Sequence, residues 1–375
     1  MILGINASRA RSGGGKSHLI GIISNAEPEK HGINQIHVWS YRTLLNELPN
    51  KPWLVKHEAQ KQDDSIFQQL LWERYKLPKL LKENSCSILL NVDAGTVCRF
   101  HPAITMSRDM LSYEPGEINR YKLFSKARLR LLLLRYVQNA SLRAANGAVF
   151  LTRYAGKVIQ ESCGTLKQVA YIPHGVSDTF KKIKPQDWPH GKNRPIQCLY
   201  ISPVSQFKHQ WIVVKSIEEL RNTGLDITLT LVGGGNATAI DILHKQLLLS
   251  DPNGKFVHLV GAEPQSKLPK HLAKADLFVF ASSCENLPNT LLEAMAAGLP
   301  IACSNRGPMP EVLEDGGVYF DPENIKSIKD AILKLVSDEN LRCSAARRAK
   351  EISNNYSWNT TATKTFEFIK KITDG

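Results

Sequence analysis

This chain is poor in the features that would mark a membrane-spanning, disulfide-bonded or metal-centred protein. No run reaches the ~20 consecutive apolar residues that a membrane-crossing helix needs. The start, MILGINASRARSGGGKSH, has a short apolar opening followed by charge, the reverse of a secretory signal. The expectation is a cytoplasmic protein, or one held peripherally on the inner face of the cytoplasmic membrane. Seven cysteines (Cys86, Cys98, Cys163, Cys198, Cys284, Cys303 and Cys343) are odd in number, scattered, and without a C-x-x-C pair. That spacing excludes a disulfide framework or a zinc site and fits free thiols used as small core residues in a reducing compartment. There is no convincing D-x-D pair, so no bound metal is expected. Internal repeats and low-complexity tracts are also absent. Aromatic residues are only 7% and do not interleave with the basic ones, so the platform expected of a nucleic-acid binder is missing.

What remains is ordinary globular composition, 42% hydrophobic and 22% charged, over 375 residues. At ~150 residues per domain this length implies two domains. The net charge of +13 is uneven: residues 1–180 hold 24 Lys and Arg against 14 Asp and Glu, residues 181–375 hold 24 against 21. A basic first half calls for an anionic partner: nucleic acid, anionic lipid or a phosphorylated substrate.

Short apolar runs alternate with helical stretches, the pattern of a parallel sheet covered by helices. In the first half the expected strands are 2–6, 88–92, 148–151 and 169–172, with helices near 65–82 and 119–145. In the second half they are 198–201, 227–232, 256–260, 277–281 and 301–303, with helices near 210–223, 239–248 and 290–297. The polar, proline-bearing stretch SDTFKKIKPQDWPHGKNRP reads as a linker. The expected division is therefore an N-terminal domain over 1–178, a linker over 179–195 and a C-terminal domain over 196–355.

Residues Ala10–Ser17, ARSGGGKS, have P-loop spacing if Ala stands for the first Gly, with Lys16 and Ser17 as cation and magnesium ligand. SILLNVD, ending at Asp93, resembles the strand that would hold the metal. The reading of a P-loop ATPase therefore stands as an alternative. Against it, Ser8, Arg9 and Arg11 interrupt the approach from a very short strand. Gly13, Gly14 and Gly15 are better read as a phosphate-contacting loop without nucleotide hydrolysis. A basic nucleic-acid-binding protein is a third reading, resting on charge alone.

The richest stretch is DLFVFASSCENLPNTLLEAMAAGLPIAC, residues 276–303. A strand ends near Ala281, a loop carries Glu285 and Asn286, Asn289 is a candidate helix cap, and Gly298 with Pro300 gives the stop. Glu285 falls in the loop and Glu293 one turn into the helix. Free N–H groups at Asn289 and Thr290 make an anion site between them. Two carboxylates flanking an anion site suit a sugar nucleotide; equally, Glu285 reads as a surface acid and Glu293 as a complement to the helix dipole.

The Glu285-to-Glu293 spacing resembles the E-x7-E motif of retaining family-4 glycosyltransferases, which have the GT-B fold. The likeness extends to SSCENLPNTLLEAMAAGLPI, SNRGPMPEVLEDGGVYFDP, IPHGVSDTF, YISPVSQFKHQ, LTLVGGG, HLVG and YSWNTTATKTFEFI. It is strong over 170–375 and weaker before. It implies an α/β chain of two Rossmann-like doubly wound domains facing across a cleft, with a C-terminal helix over 356–375 packing back on the first. It implies a retaining, metal-independent hexosyltransferase of cell-surface polysaccharide, O-antigen or lipopolysaccharide assembly, using a UDP- or GDP-linked sugar and no cofactor. The acceptor would be a saccharide or lipid-linked saccharide, with peripheral contact to an anionic membrane and no nucleic acid.

By the same resemblance Glu293 would bind the donor ribose and Glu285 the transferred sugar. Lys208 with the amides of Asn289 and Thr290 would hold the diphosphate, and Gly261 would lie at the donor. The Gly13–Gly15 loop would close on it. Two departures stand out. Pro203 occupies the place of an Arg found five residues before the lysine, leaving Arg306 as one replacement cation. Arg108-Asp109 occupies the place of a His-Asp pair, and an arginine is a cation and no base; His101 and His174 are the nearest imidazoles. Arg120–Arg135, with six basic residues and no acid, could meet anionic headgroups. Its charges do not gather on one helical face, and Leu131–Leu134 is read as core.

Overall fold

The computed structural model describes residues 1–10, 14–59, 65–189, 194–235 and 237–375. The chain divides into two compact units, Met1–Gly175 with Ser357–Gly375, and Val176–Tyr356. The boundary falls at 175/176. The described part of 179–195 is no free linker but belongs to the second unit. There Phe180 is buried, and the Trp188 ring lies 3.9 Å from the Arg342 guanidinium.

The first unit is built on a seven-stranded parallel sheet: β1 (Ile2–Asn6), β2 (Gln35–Ser40), β3 (Leu54–Glu58), β4 (Ile88–Asn91), β5 (Ala103–Ser107), β6 (Gly147–Phe150) and β7 (Val169–Tyr171). Their order is β3-β2-β1-β4-β5-β6-β7. Ile5 pairs with Val38 on one side and Leu90 on the other, and all three side chains are buried. The second unit has six parallel strands: β8 (Ile196–Ile201), β9 (Ile227–Val232), β10 (Val257–Gly261), β11 (Leu277–Phe280), β12 (Ile301–Ser304) and β13 (Val318–Phe320), ordered β10-β9-β8-β11-β12-β13. Both are doubly wound α/β domains of Rossmann type. In each, strand order reverses beside the first strand, and loops leaving the carboxyl ends at that switch point are where such sheets bind ligands.

Four strands escape the sequence pattern. QIHVWS and LVKHE, which form β2 and β3, carry His, Lys and Glu, whereas buried parallel strands usually read as continuous apolar runs. β5 and β13 are only five and three residues long. The expected helix over 65–82 is helical but not uniform. Ser65 opens it with a reciprocal capping box to Gln68, and a π-helical stretch over Trp72–Lys76 separates two α-helical ones. The extra residue per turn helps carry Glu73 inward, where it is fully buried and bonds Arg9 Nε at 2.7 Å, Ser8 Oγ at 3.0 Å and the Val97 N–H at 3.1 Å.

The helix Trp358–Asp374 packs on the helix Gly14–Ser24 and on β4, both within the first unit. Ser357 caps it through the Thr360 N–H, and Thr361 Oγ1 donates to the Pro173 carbonyl at 2.8 Å. Phe366 is 1% exposed. Phe366→Ala is expected to cost the first unit roughly 3–5 kcal/mol, the usual range for emptying a buried aromatic site. Urea denaturation checks this, and a loss under ~1 kcal/mol would show that the helix is not part of that core.

Candidate functional site in the second unit, with a buried cation in the first

Lys208 and Glu285 leave the carboxyl ends of β8 and β11, neighbouring strands at the switch point. They form a direct ion pair, with side chains only 10% and 14% exposed. The loops around it are tied together: the Ser283 N–H donates to the Phe207 carbonyl at 2.8 Å, and His209 Nε2 meets Ser283 Oγ at 2.9 Å. Lys208 Nζ lies 5.3 Å from the Phe207 ring and 5.4 Å from that of Phe280, so its ammonium sits against two aromatic faces. Gly233, at φ +150°, lets the loop after β9 approach β8; a Cβ there would run into the Ser202 carbonyl.

The helix Asn289–Ala297 begins after the Glu285 loop and ends on Gly298 in the left-handed region, as its stop signal implies. Its N-cap is Pro288, without a side-chain bond. Asn289 is thus the first helical residue and not the cap, which corrects the sequence reading. Glu293 is 5% exposed. Its Oε1 accepts from Gln265 Nε2 at 3.0 Å, while its Oε2 and Asn289 Oδ1 are buried with no hydrogen-bond partner among the described residues. Burial without a cation lifts the Glu293 carboxyl to about 7, only partly offset by the Gln265 bond. The segment therefore presents one paired carboxylate, one unpaired acid able to accept bonds from a polyol, and the free N–H groups of a helix start. Gly261 ends β10 at φ +82°, and its carbonyl accepts from the Gly233 N–H at 2.7 Å. Arg306, the candidate replacement for the missing arginine, pairs with Asp321 at 3.2 Å, both side chains being exposed.

In the first unit, Arg108 follows β5. Its Nε and Nη1 are buried with no hydrogen-bond partner among the described residues. Burial lowers its pKa, opposed by the charge of Asp93 and by Tyr41, and no base chemistry follows from it. A Cβ on Gly15 would overlap this guanidinium, so glycine is needed where Arg108 lies against the start of the helix Gly14–Ser24. Gly14 opens that helix; Gly13 lies outside the described residues. Asp109 accepts from Ser112 Oγ at 3.0 Å and the Leu111 N–H at 3.2 Å, a local turn with no free carboxylate edge implied.

His174 and His18 contact each other through their Nδ1 atoms, beside Trp358. Burial, then the neighbouring Arg108, pushes His174 down to about 3, too weak for a base at neutral pH. His101 precedes β5 and so lies at the opposite end of that strand from Arg108. The P-loop reading also finds little support. Lys16 pairs with Glu47 at 2.5 Å, Asp93 accepts from the Gly95 N–H at 2.7 Å, and residues 11–13 of Ala10–Ser17 are outside the described residues. Among the described residues no group of three His, Cys, Asp or Glu could hold a metal. Gln265 had no sequence signal beyond following a strand, while His209 and Ser283 lay inside YISPVSQFKHQ and SSCENLPNTLLEAMAAGLPI without being singled out.

The two Rossmann-like units have counterparts among known proteins. Residues 182–352 match the family described as Glycosyl transferases group 1. The chain is 33% identical over 115 residues to O-antigen chain mannosyltransferase B of Escherichia coli, covering 31% of this chain and 30% of that protein. It is 26% identical over 242 residues to the GDP-mannose-dependent alpha-(1-6)-phosphatidylinositol monomannoside mannosyltransferase of Mycobacterium tuberculosis, covering 59% and 60%. The matches thus take in less than two thirds of each relative. Among solved structures, the sucrose-phosphate synthase of Thermosynechococcus elongatus superposes with TM-score 0.76 at 15% identity, over 99% of this chain and 98% of that one. HepE of Anabaena, in complex with UDP and glucose, superposes with TM-score 0.75 at 17% identity, over 99% and 100%. These are GT-B glycosyltransferase neighbours, and the fold is theirs.

The ordinary carboxyl value of Glu293 is 4.5, against about 7 in the folded protein. The folded state binds this proton more tightly, so the stability it contributes is full below pH 4.5 and is lost as pH rises through 7. Thermal melts from pH ~4.5 to ~7.5 should therefore fall more steeply for the wild type than for Glu293→Gln, which has no such proton to lose. Equal slopes would remove Glu293 as the cause.

Proposed function

We propose that this chain is a retaining hexosyltransferase that moves a sugar from a UDP- or GDP-linked donor to a saccharide or lipid-linked saccharide in cell-surface polysaccharide or lipopolysaccharide assembly. The observation that carries the reading is Glu293: a buried acid with an unpartnered oxygen on the helix that starts at Asn289. Ribose hydroxyls are donors and would satisfy that oxygen. The amides of Asn289 and Thr290 and the Lys208 ammonium would take the diphosphate, and Glu285, released from part of its hold on Lys208, the sugar hydroxyls. Gly261 would border the donor.

Breaking the sugar–phosphate bond develops negative charge on the departing diphosphate and positive charge on the ring. Pre-placed donors in a water-poor site stabilise that charge without reorganising. In this reading Lys208 and the helix amides do this in place of a metal. Arg108, against Gly15 at a helix start, is an anion-attracting group of the first unit taken by itself. The relative named as GDP-mannose-dependent and the neighbour solved with UDP support either base.

A nucleoside diphosphate at ~100 times its dissociation constant stabilises by ~2.7 kcal/mol. UDP or GDP is expected to raise the melting temperature equally in magnesium and in EDTA, and to do nothing in Glu293→Ala. Lys208→Ala and Glu293→Ala should each lower transfer at least ~100-fold with the fold intact. Near-normal turnover in either variant would overturn the site.

The acceptor side points to a membrane surface. No helix among the described residues is long and apolar enough to cross a membrane. Yet Leu131–Leu134 is not core: Leu132 and Leu133 are exposed. Along the helix Lys126–Ala144, the exposed apolar positions Leu129, Leu132, Leu133 and Tyr136 recur at helical spacing, and Phe124 just before it is 96% exposed. Lys122, Lys126 and Arg130 flank them. An apolar stripe edged by cations suits an anionic bilayer interface. Leu129→Asp with Leu133→Asp should cut sedimentation with anionic vesicles about tenfold or more, and sedimentation equal to wild type would sink the membrane contact.

A further inference from the structure

The connection between β4 and β5 is unusual for parallel strands. A parallel crossover normally carries a helix that covers the strand pair. Here residues 92–102 make the crossing with no helix at all. The flanking connections do carry helices: the one over 66–83 enters β4, and Lys126–Ala144 leads from β5 to β6. Beside this crossover lies a cavity of about 440 Å³ whose lining includes Leu70, Tyr75, Phe100, Ala103, Val137 and Ala140. That volume falls within the range of small-molecule sites and holds on the order of 15 water-sized groups.

The cavity's lining is mostly apolar, with Asn91, Thr96, His101, Thr105 and Ser141 among its polar residues. Asn91 and Thr105 border it, but they are occupied with each other at 3.4 Å, and Asn91 Oδ1 also accepts from Asn6 at 3.1 Å. Cys98 faces it with its thiol pushed up to about 11 by burial, so it is neutral. Thr96 is buried and its Oγ1 accepts from Asn6 Nδ2 at 3.3 Å, and His101 is exposed. Arg74 and Arg99 are exposed, line the opening and form no ion pair among the described residues. Exposed Leu71 and Tyr136 sit at the same rim, and Tyr136 also ends the apolar stripe of the helix Lys126–Ala144.

We propose that this cavity binds the alkyl or isoprenyl chain of a single-chain phosphate amphiphile, with Arg74 and Arg99 on the phosphate. A mostly apolar lining disfavours a sugar or nucleotide, most of whose hydroxyls would go unpaired. Two uncompensated arginines at the mouth disfavour a neutral or cationic ligand and favour phosphate. The site deepens the lipid-linked-acceptor reading by giving the lipid portion its own place. Binding needs no sugar donor, so a failure of this site and a failure of glycosyl transfer are separate results.

The test uses the full chain and farnesyl phosphate, with farnesol as the neutral probe, followed by calorimetry below the micellar range. Saturable 1:1 binding of farnesyl phosphate is expected, with farnesol roughly tenfold weaker or worse. Arg74→Glu with Arg99→Glu should remove that preference. Ala140→Trp, which fills the cavity, should weaken both probes about tenfold or more, and Ala144→Phe at the rim serves if the first variant melts early. Sedimentation with phosphatidylglycerol vesicles separates a chain taken singly from bulk lipid: the filling variants should sediment as the wild type does. The proposal is overturned if a folded filling variant binds farnesyl phosphate as tightly as the wild type. It is equally overturned if farnesol binds as well as the phosphate, or if filling abolishes vesicle binding and spares the monomer.

Discussion

A lysine and a glutamate held together in a nearly dry place organise the second unit. Lys208 and Glu285 belong to loops after β8 and β11, and their pairing closes the gap where strand order reverses. Each charge would be expensive alone at that depth, and together they offset one another only in this geometry. Such a pair is weak evidence for stability, because well-packed apolar residues would serve as well. It is better evidence for a site, since the ammonium and carboxylate are both able to exchange each other for a ligand. The Ser283–Phe207 and His209–Ser283 bonds hold the two loops so that the exchange need not move the backbone.

Glu293, eight residues on, is the contrast. It has a neutral amide for a neighbour and no cation, so burial raises its pKa where Glu285 has Lys208 beside it. Two acids in one loop–helix segment thus meet different environments, the arrangement expected where they have different partners. The first unit holds a complementary imbalance. Arg108 is a buried cation with unfilled donors at the end of β5, and the glycine at position 15 exists in a space that no side chain could share with it. Parallel sheets gather such groups because every strand delivers its loop to the same edge.

The two halves of the chain were unequally legible. In the second, LYI, LFVF and IAC are continuous apolar runs and ITLTLV alternates apolar residues with Thr, and the strands formed there with bounds shifted by no more than a few residues. The Glu285–Glu293 segment is local, so its loop, helix and stop could be read from nearby residues. In the first half β2 and β3 went unseen. His37 and His57 occupy strand positions there, and they stack face to face with centroids 5.0 Å apart instead of reading as apolar. The pairing of Arg306 with Asp321, fifteen residues away, left no sign in the sequence. Asn289 had the chemistry of a cap, but Pro288 reached the position first.

The sequence by itself determined the α/β class, the two-domain division, and the residues offered to the site, because hydrophobic period, turn residues and caps act over a few neighbours along the chain. Tertiary structure decided which of those residues are paired, buried or left waiting. Gln265 finds Glu293 from twenty-eight residues away, and Glu73 finds Arg9 across sixty-four. The leucines of Lys126–Ala144 show the same limit: an apolar stripe is visible in any amphipathic helix, but whether it faces a core depends on what packs beside it. Here Leu129, Leu132, Leu133 and Tyr136 stay in the open.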